Sequence, residues 1–242
     1  MAGIILHEGV SALDGVSPVA LIVTRGSKNT KTGDMDQAWI IRTDVHPLVA
    51  TRKDLDGAIC GDCRHRTPGA RSCYVVVGFA PAGVYRAYKA GVYRAGTPDD
   101  LSGRFLRMAA YGDPAAIPLD VWTSVVSKLS GWTGYTHQWK TVDSAYKNFL
   151  MASVDTEAEF DEARRAGWRT FRVRQTPGLL DGEIVCPASA EAGHRTTCQR
   201  CRLCSGAGVG QGSARSIAIY AHGSGKTSAF FKSAQIPLVL TD

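Results

Sequence analysis

Apolar residues in this chain come in short runs separated by clusters of turn formers. Residues 18–24 (PVALIVT) and 37–43 (QAWIIRT) are apolar and β-branched, and GSKNTKTGD lies between them; the pattern predicts a hairpin or two neighbouring strands. Across 81–94, Val84, Tyr85, Tyr88 and Val92 fall near helical spacing, with Pro81 suited to a first turn. RFLRMAA (104–110) predicts a strand running into YGDP. Pro118 then opens a helix to about Leu129, with Val121, Trp122, Val125 and Val126 on its apolar face. WTGYTHQW (132–139) starts as a strand, and FLMASV (149–154) is a strand of the buried type. Asp155 or Thr156 can cap a helix over 157–166, which Gly167 ends. Further strands are expected at 168–173, 183–186, 216–220 and 236–240, after a Gly-rich stretch, GAGVGQGS.

Strands and helices therefore alternate from about 72 to 221, the pattern of parallel β/α units. The expected fold class is α/β: a partial (β/α)6-type barrel or an open parallel sheet, carrying two cysteine-rich metal-binding loops. Polar residues follow several strands (YGDP, YTHQ, SVDT), where parallel sheets carry their sites. At 242 residues and 44% hydrophobic, one core is the default. The expected layout is a single domain over 1–242. It comprises a hairpin region (1–57), a β/α core (58–221) with cysteine loops at 60–73 and 186–204, and a tail (222–242).

No run approaches the 18 apolar residues of a membrane span, and the start of the chain, with His7 and Glu8, lacks a basic leader. A cytoplasmic protein with no membrane partner is expected. The formal charge is +6, mostly from arginine, and nine Arg stand against five acids between Asp161 and Arg215. That local excess favours an anionic small molecule or a nucleic acid as partner.

The seven cysteines form two groups, Cys60, Cys63 and Cys73, then Cys186, Cys198, Cys201 and Cys204. An odd count in a chain this long is not a disulfide framework. Four thiolates satisfy a tetrahedral Zn²⁺ or hold an iron–sulfur cluster. The first group leaves one position open, or becomes a closed Cys3His site if His65 joins it. Gly112 lets the backbone approach a ligand, and Asp113 beside it could accept from an amine or cap a helix. His137, after a strand, is a candidate base, proton donor or ligand, and Asp155 has the same placement. HGSGKT (222–227) fails as a phosphate loop because Tyr220 stands where the first glycine belongs; a simple anion contact by Lys226 is what it leaves.

The runs SKNTKTGDMDQAWII, RMAAYGDPAAIP, GYTHQW, FLMASVDT, GWRTFRV and CPAS…TTCQRCRLCSG, with a cysteine loop closing on CY, resemble bacteriophage proteins of the gene-product-88 and gene-product-37 type. More distantly, the layout resembles radical S-adenosylmethionine enzymes. That resemblance implies a partial (β/α)6 barrel with three cysteines after its first strand, holding a [4Fe–4S] cluster that takes up S-adenosylmethionine. Cys60, Cys63 and Cys73 match the three, at C-x2-C-x9-C in place of the family's C-x3-C-x2-C. Gly112 and Asp113 match a glycine/acid motif that meets the cofactor's amino group, and the four later cysteines match an auxiliary cluster. Tyr135, His137 and Asp155 would then line the substrate cavity as catalytic residues.

Three functions follow. One is an iron–sulfur enzyme of this radical type acting on an anionic substrate. The second is a zinc-stabilised DNA- or RNA-binding protein of phage growth in the host cytoplasm. The third is a metal-dependent hydrolase using His137, Asp113 and Asp155.

Overall fold

The computed structural model describes residues 3–66, 73–174, 176–208 and 214–221. The expected strand at 236–240, the tail 222–242 with Lys226, and part of the Gly-rich stretch lie outside these residues.

Ten strands form one sheet in the order β4-β1-β2-β3-β5-β6-β7-β8-β10-β9. They are β1 Gly3–Val10, β2 Pro18–Thr24, β3 Asp36–Arg42, β4 Arg94–Ala95, β5 Phe105–Tyr111, β6 Gly131–Thr136, β7 Met151–Val154, β8 Thr170–Arg174, β9 Glu183–Val185 and β10 Ser216–Tyr220. The helices are α1 Pro47–Arg52, α2 Gly57–Cys60, α3 Ala80–Lys89, α4 Leu119–Val126, α5 Glu157–Arg165 and α6 Cys198–Cys201. β1, β2 and β3 form an antiparallel meander, and all other pairings are parallel. The α/β class with a largely parallel sheet therefore stands.

The central strands read as apolar runs because both faces are covered. All four residues of β7 are buried, as are the last six of β2. α4 seats Trp122 fully inside, its indole N–H donating to the Pro114 carbonyl at 2.8 Å. Burying an aromatic of that size contributes roughly 2–3 kcal/mol. At α5 the cap is Thr156, not Asp155. Thr156 Oγ1 accepts from the Glu159 amide at 3.1 Å while Glu159 returns a bond to the Thr156 N–H.

Two elements differ from expectation. The helix expected to 94 ends at Lys89, and Arg94 instead pairs beside β1. β1 itself carries no strong sequence signal: its end is exposed, and it forms because β2 presents a buried edge to it.

Candidate functional site

The first cysteine loop hangs from the carboxyl ends of the parallel strands. α2 ends at Cys60, and the chain turns at Gly61 with φ +58°, where a Cβ would sit on the Gln138 amide. Gln138 Nε2 donates to the Cys60 carbonyl (3.2 Å), and the Asp113 N–H donates to the Ile59 carbonyl (2.6 Å). Loops after β5 and β6 thus hold the loop that follows β3. The Cys63 thiol accepts from the His65 amide, and Cys73 Sγ accepts from the Val75 amide at 3.5 Å. Burial, then the neighbouring thiols, raises Cys60 well above the usual thiol range. Burial also pushes Cys63 up to about 12. Such thiols stay protonated near neutrality unless a cation takes the proton's place.

The second loop is tied more tightly. The Cys186 amide donates to the Ala218 carbonyl on β10, and the Cys198 and Gln199 amides donate to Lys31 and Thr32, just before β3. The Gly134 amide on β6 donates to the Cys204 carbonyl. Thr197 caps α6, and Arg202 closes it in the left-handed conformation at φ +53°. Tyr135 hydrogen-bonds the Cys204 thiol. Burial raises Cys204, and the thiols of Cys186, Cys198 and Cys201 raise it further.

The sulfurs within each group are near enough to feel one another's charge. Among the described residues, however, no three of them lie within 4.8 Å of one another. A tetrahedral zinc with Zn–S near 2.3 Å needs sulfurs about 3.8 Å apart. Without an ion, neither group of thiols is drawn up to that spacing. His65 Nε2 is turned onto Asp155 Oδ1 at 3.1 Å.

One cavity of about 600 Å³ joins the two loops. Cys60, Cys63 and Cys73 lie in its wall near the strand carboxyl ends, and Cys198 lies in the wall at the second loop. Alternate residues of β6 (Thr133, Tyr135) and of β8 (Phe171, Val173) line it, as period-two strands require, while β5 lines it with Arg107 and the consecutive Ala109, Ala110 and Tyr111. Tyr135 and Phe171 pack with ring centroids 4.5 Å apart. In β5, Gln37 faces Arg107 but Trp39 faces Tyr111, so the strand bulges by two residues at Ala109, whose φ is +76°. Nothing in the alternation of RFLRMAA signalled that bulge.

Gly112 also lines the cavity, at φ +83°, where a Cβ would come within 2.8 Å of Ile40 Cβ. Asp113 beside it is committed inward. Its Oδ1 accepts from the Ala115 amide (3.0 Å) and its Oδ2 from the His137 amide (2.8 Å). Burial lifts its pKa to about 6 against those two donors. Asp113 therefore caps a turn and ties the ends of β5 and β6 together, the capping role that its sequence position also allowed.

His137 faces the cavity with Nε2 shielded from solvent and without a hydrogen-bond partner among the described residues. Burial lowers its imidazole to about 4 even with Asp155 nearby, so it is neutral at pH 7. Asp155 stands behind His65. Burial alone would raise this carboxyl, but the His65 hydrogen bond and the charges of His65, His137 and Arg64 hold it below the usual range. The expected hydrolase set is thus split. His137 and Asp155 come together with His65, while the Asp113 carboxylate binds the backbone. Sequence spacing missed His65 in this role because it lies 90 residues from Asp155.

The arginine excess of 161–215 is only partly a surface. Arg169 is buried and donates to the carbonyls of Gly206, Ala214 and Arg215. Arg172 forms a buried two-pronged pair with Glu183 (2.8 and 2.6 Å), and Arg174 pairs with Glu191 and lies over the Tyr220 ring. Lys31 and Arg107, outside that segment, bring positive charge to the cavity wall beside Cys198. Comparison with known proteins adds no relative: no family model, curated protein or solved structure matches the chain.

Proposed function

We propose that this protein is an iron–sulfur enzyme of the radical S-adenosylmethionine type, acting on an anionic substrate in the cytoplasm of a bacterial host infected by phage. The observation that carries the reading is a cavity with the three thiols of the first loop in its wall, near the carboxyl ends of parallel strands. Strands β5 to β8 and β10 all contribute residues to that cavity, which supports a sheet curled as a partial barrel. Cys60, Cys63 and Cys73 would hold a [4Fe–4S] cluster with one iron left free, and Cys186, Cys198, Cys201 and Cys204 a second, closed one. When bound, the first cluster supplies an electron to cleave the sulfonium cofactor.

The chain's own residues do the rest. Gly112 lines the cavity and lets the end of β5 pack directly on Ile40 and Ile59, where a side chain would not fit. Asp113 holds the His137 backbone against the end of β5. The Tyr135 and Phe171 rings and Val173 make an apolar wall that excludes water from a reactive species. Lys31 and Arg107 offer charge to an anionic group.

Anaerobic purification with iron, sulfide and zinc analysis beside a visible spectrum tests this. The expected result is a brown protein absorbing near ~400 nm, with acid-labile sulfide. Cys73→Ala should remove the free-iron cluster and cofactor cleavage while leaving the fold. A colourless protein carrying zinc would overturn the reading in favour of a zinc-stabilised nucleic-acid binder, whose mark is steeply salt-dependent binding.

A further inference from the structure

At the cavity wall stands a second donor set, two histidines of the lining and one carboxylate behind them, that neither cysteine group uses. His65, His137 and Asp155 each place a ligand atom within 4.8 Å of the other two. They come from the first cysteine loop, the end of β6 and the end of β7, so only the fold assembles them. We propose that these three residues form a divalent transition-metal site of the two-histidine, one-carboxylate kind, taking Mn²⁺ or Fe²⁺, with its remaining positions turned to the cavity.

The geometry supports this at each donor. His65 Nε2 and Asp155 Oδ1 stand 3.1 Å apart. Two donors sharing one ion at about 2.1 Å are roughly 3.0–3.4 Å apart, so this pair is already at ligand spacing. The His65 and His137 rings meet edge to face at 5.5 Å between centroids, which sets the two imidazoles at an angle suited to adjacent positions on one ion. Among the described residues, His137 Nε2 is buried without a partner. A solvent-shielded polar atom in that state costs about 1–3 kcal/mol unless something answers it, and a cation does so.

Charge balance also permits an ion. Arg64 approaches the other carboxylate oxygen, Asp155 Oδ2, at 3.5 Å, but Arg64 is itself answered by Glu159 Oε1 at 3.1 Å. Glu159 Oε2 accepts from the Asp155 amide at 2.9 Å and fixes the backbone that carries the carboxylate. Such outer bonds orient a ligand without competing for the ion. His65 and His137 line the cavity and Asp155 does not, so the open side of the ion faces the cavity. A ligand reaching it there would offer oxygen, as a carboxylate, phosphate or hydroxyl group does. The site stands whether the cysteine groups carry iron or zinc.

Mn²⁺ is the probe of choice, because thiolates are poor ligands for it and imidazole–carboxylate sites accept it. Protein purified with its cysteine-bound metal in place is titrated with Mn²⁺, and bound ion is read from the loss of the free Mn²⁺ electron paramagnetic resonance signal. One additional ion per chain is expected. His137→Ala and Asp155→Asn should each weaken it at least ~10-fold, the size of effect that losing one ligand or its partner produces. Cysteine-bound metal content and the circular dichroism spectrum should stay unchanged in both. His65→Gln serves as a third variant should His137→Ala not fold. Failure of wild-type protein to take up the additional Mn²⁺, or equal uptake by the folded variants, would overturn the site. Neither result bears on the colour and sulfide content that decide the iron–sulfur reading.

Discussion

The two cysteine loops use the same donor atom in opposite ways. The first is suspended at the edge of a cavity by a few bonds from the ends of β5 and β6, and Cys73 is exposed. The second is laced by backbone hydrogen bonds to β6, β10 and the segment before β3, and Cys186 and Cys204 are buried. On the proposed reading, three thiols on a lightly held loop would leave a side open for chemistry, and four thiols on a tightly held loop would close a site that joins distant strands. The difference in how the two loops are held is what the structure itself shows.

The sharpest way to break this contrast is to remove one thiol from each loop. Cys204→Ala should destabilise the protein by more than about 4 kcal/mol in denaturant unfolding, because it takes away a buried thiol, on the proposed reading a metal ligand, together with the Tyr135 bond. Cys73→Ala should leave the unfolding midpoint nearly in place. Equal losses in the two variants would erase the distinction.

Next in size is Arg172→Ala. It strands the buried Glu183 carboxylate between β8 and β9, on the side of the second loop, and should cost about 3–5 kcal/mol by chemical denaturation. On the first side, Gly112→Ala forces a Cβ toward Ile40 at a positive φ. About 1–3 kcal/mol of strain should appear as a lower melting temperature, and ligand binding in the cavity should weaken further than stability does.

The smallest effect is expected at Asp36, which opens β3 just after the segment that carries the second loop. Burial favours its neutral form, but hydrogen bonds from Arg104, the Gly26 amide and Arg25 outweigh burial and hold its pKa below the usual range. A carboxyl whose folded pKa is depressed stabilises fully above its unfolded value, near ~3.9, and loses that contribution as pH falls through the folded pKa. Both arginines are partly exposed, so the contribution is screened to about 1 kcal/mol. Asp36→Asn should be less stable than wild type at pH 7, and the gap should close below about pH 4. A gap that persists at low pH would remove the ionic account.

Much of the frame was legible in the residue pattern. Runs such as FLMASV and PVALIVT are apolar on both faces because both faces are covered, and that signal is local. Thr156 and Glu159 announce a helix start three residues apart for the same reason. The grouping of the cysteines was also local, since each group is confined to one loop. The membrane expectation holds to this extent: among the described residues no helix is long and apolar enough to cross a bilayer.

What the sequence determined by itself is whatever depends on neighbours along the chain: strand runs, caps, turn glycines and the thiol sets. Tertiary structure alone decided that the first set and Cys198 of the second line one cavity, and that His65 meets Asp155 across 90 residues. It also turned three of nine arginines inward, where they bond to carbonyls, to the buried Glu183 and to Glu191 instead of offering a charged face. The reason is physical. Hydrophobic periodicity and hydrogen-bonded caps are written in local spacing, but a charge, an imidazole or a bulge takes its role from whatever the folded sheet brings against it.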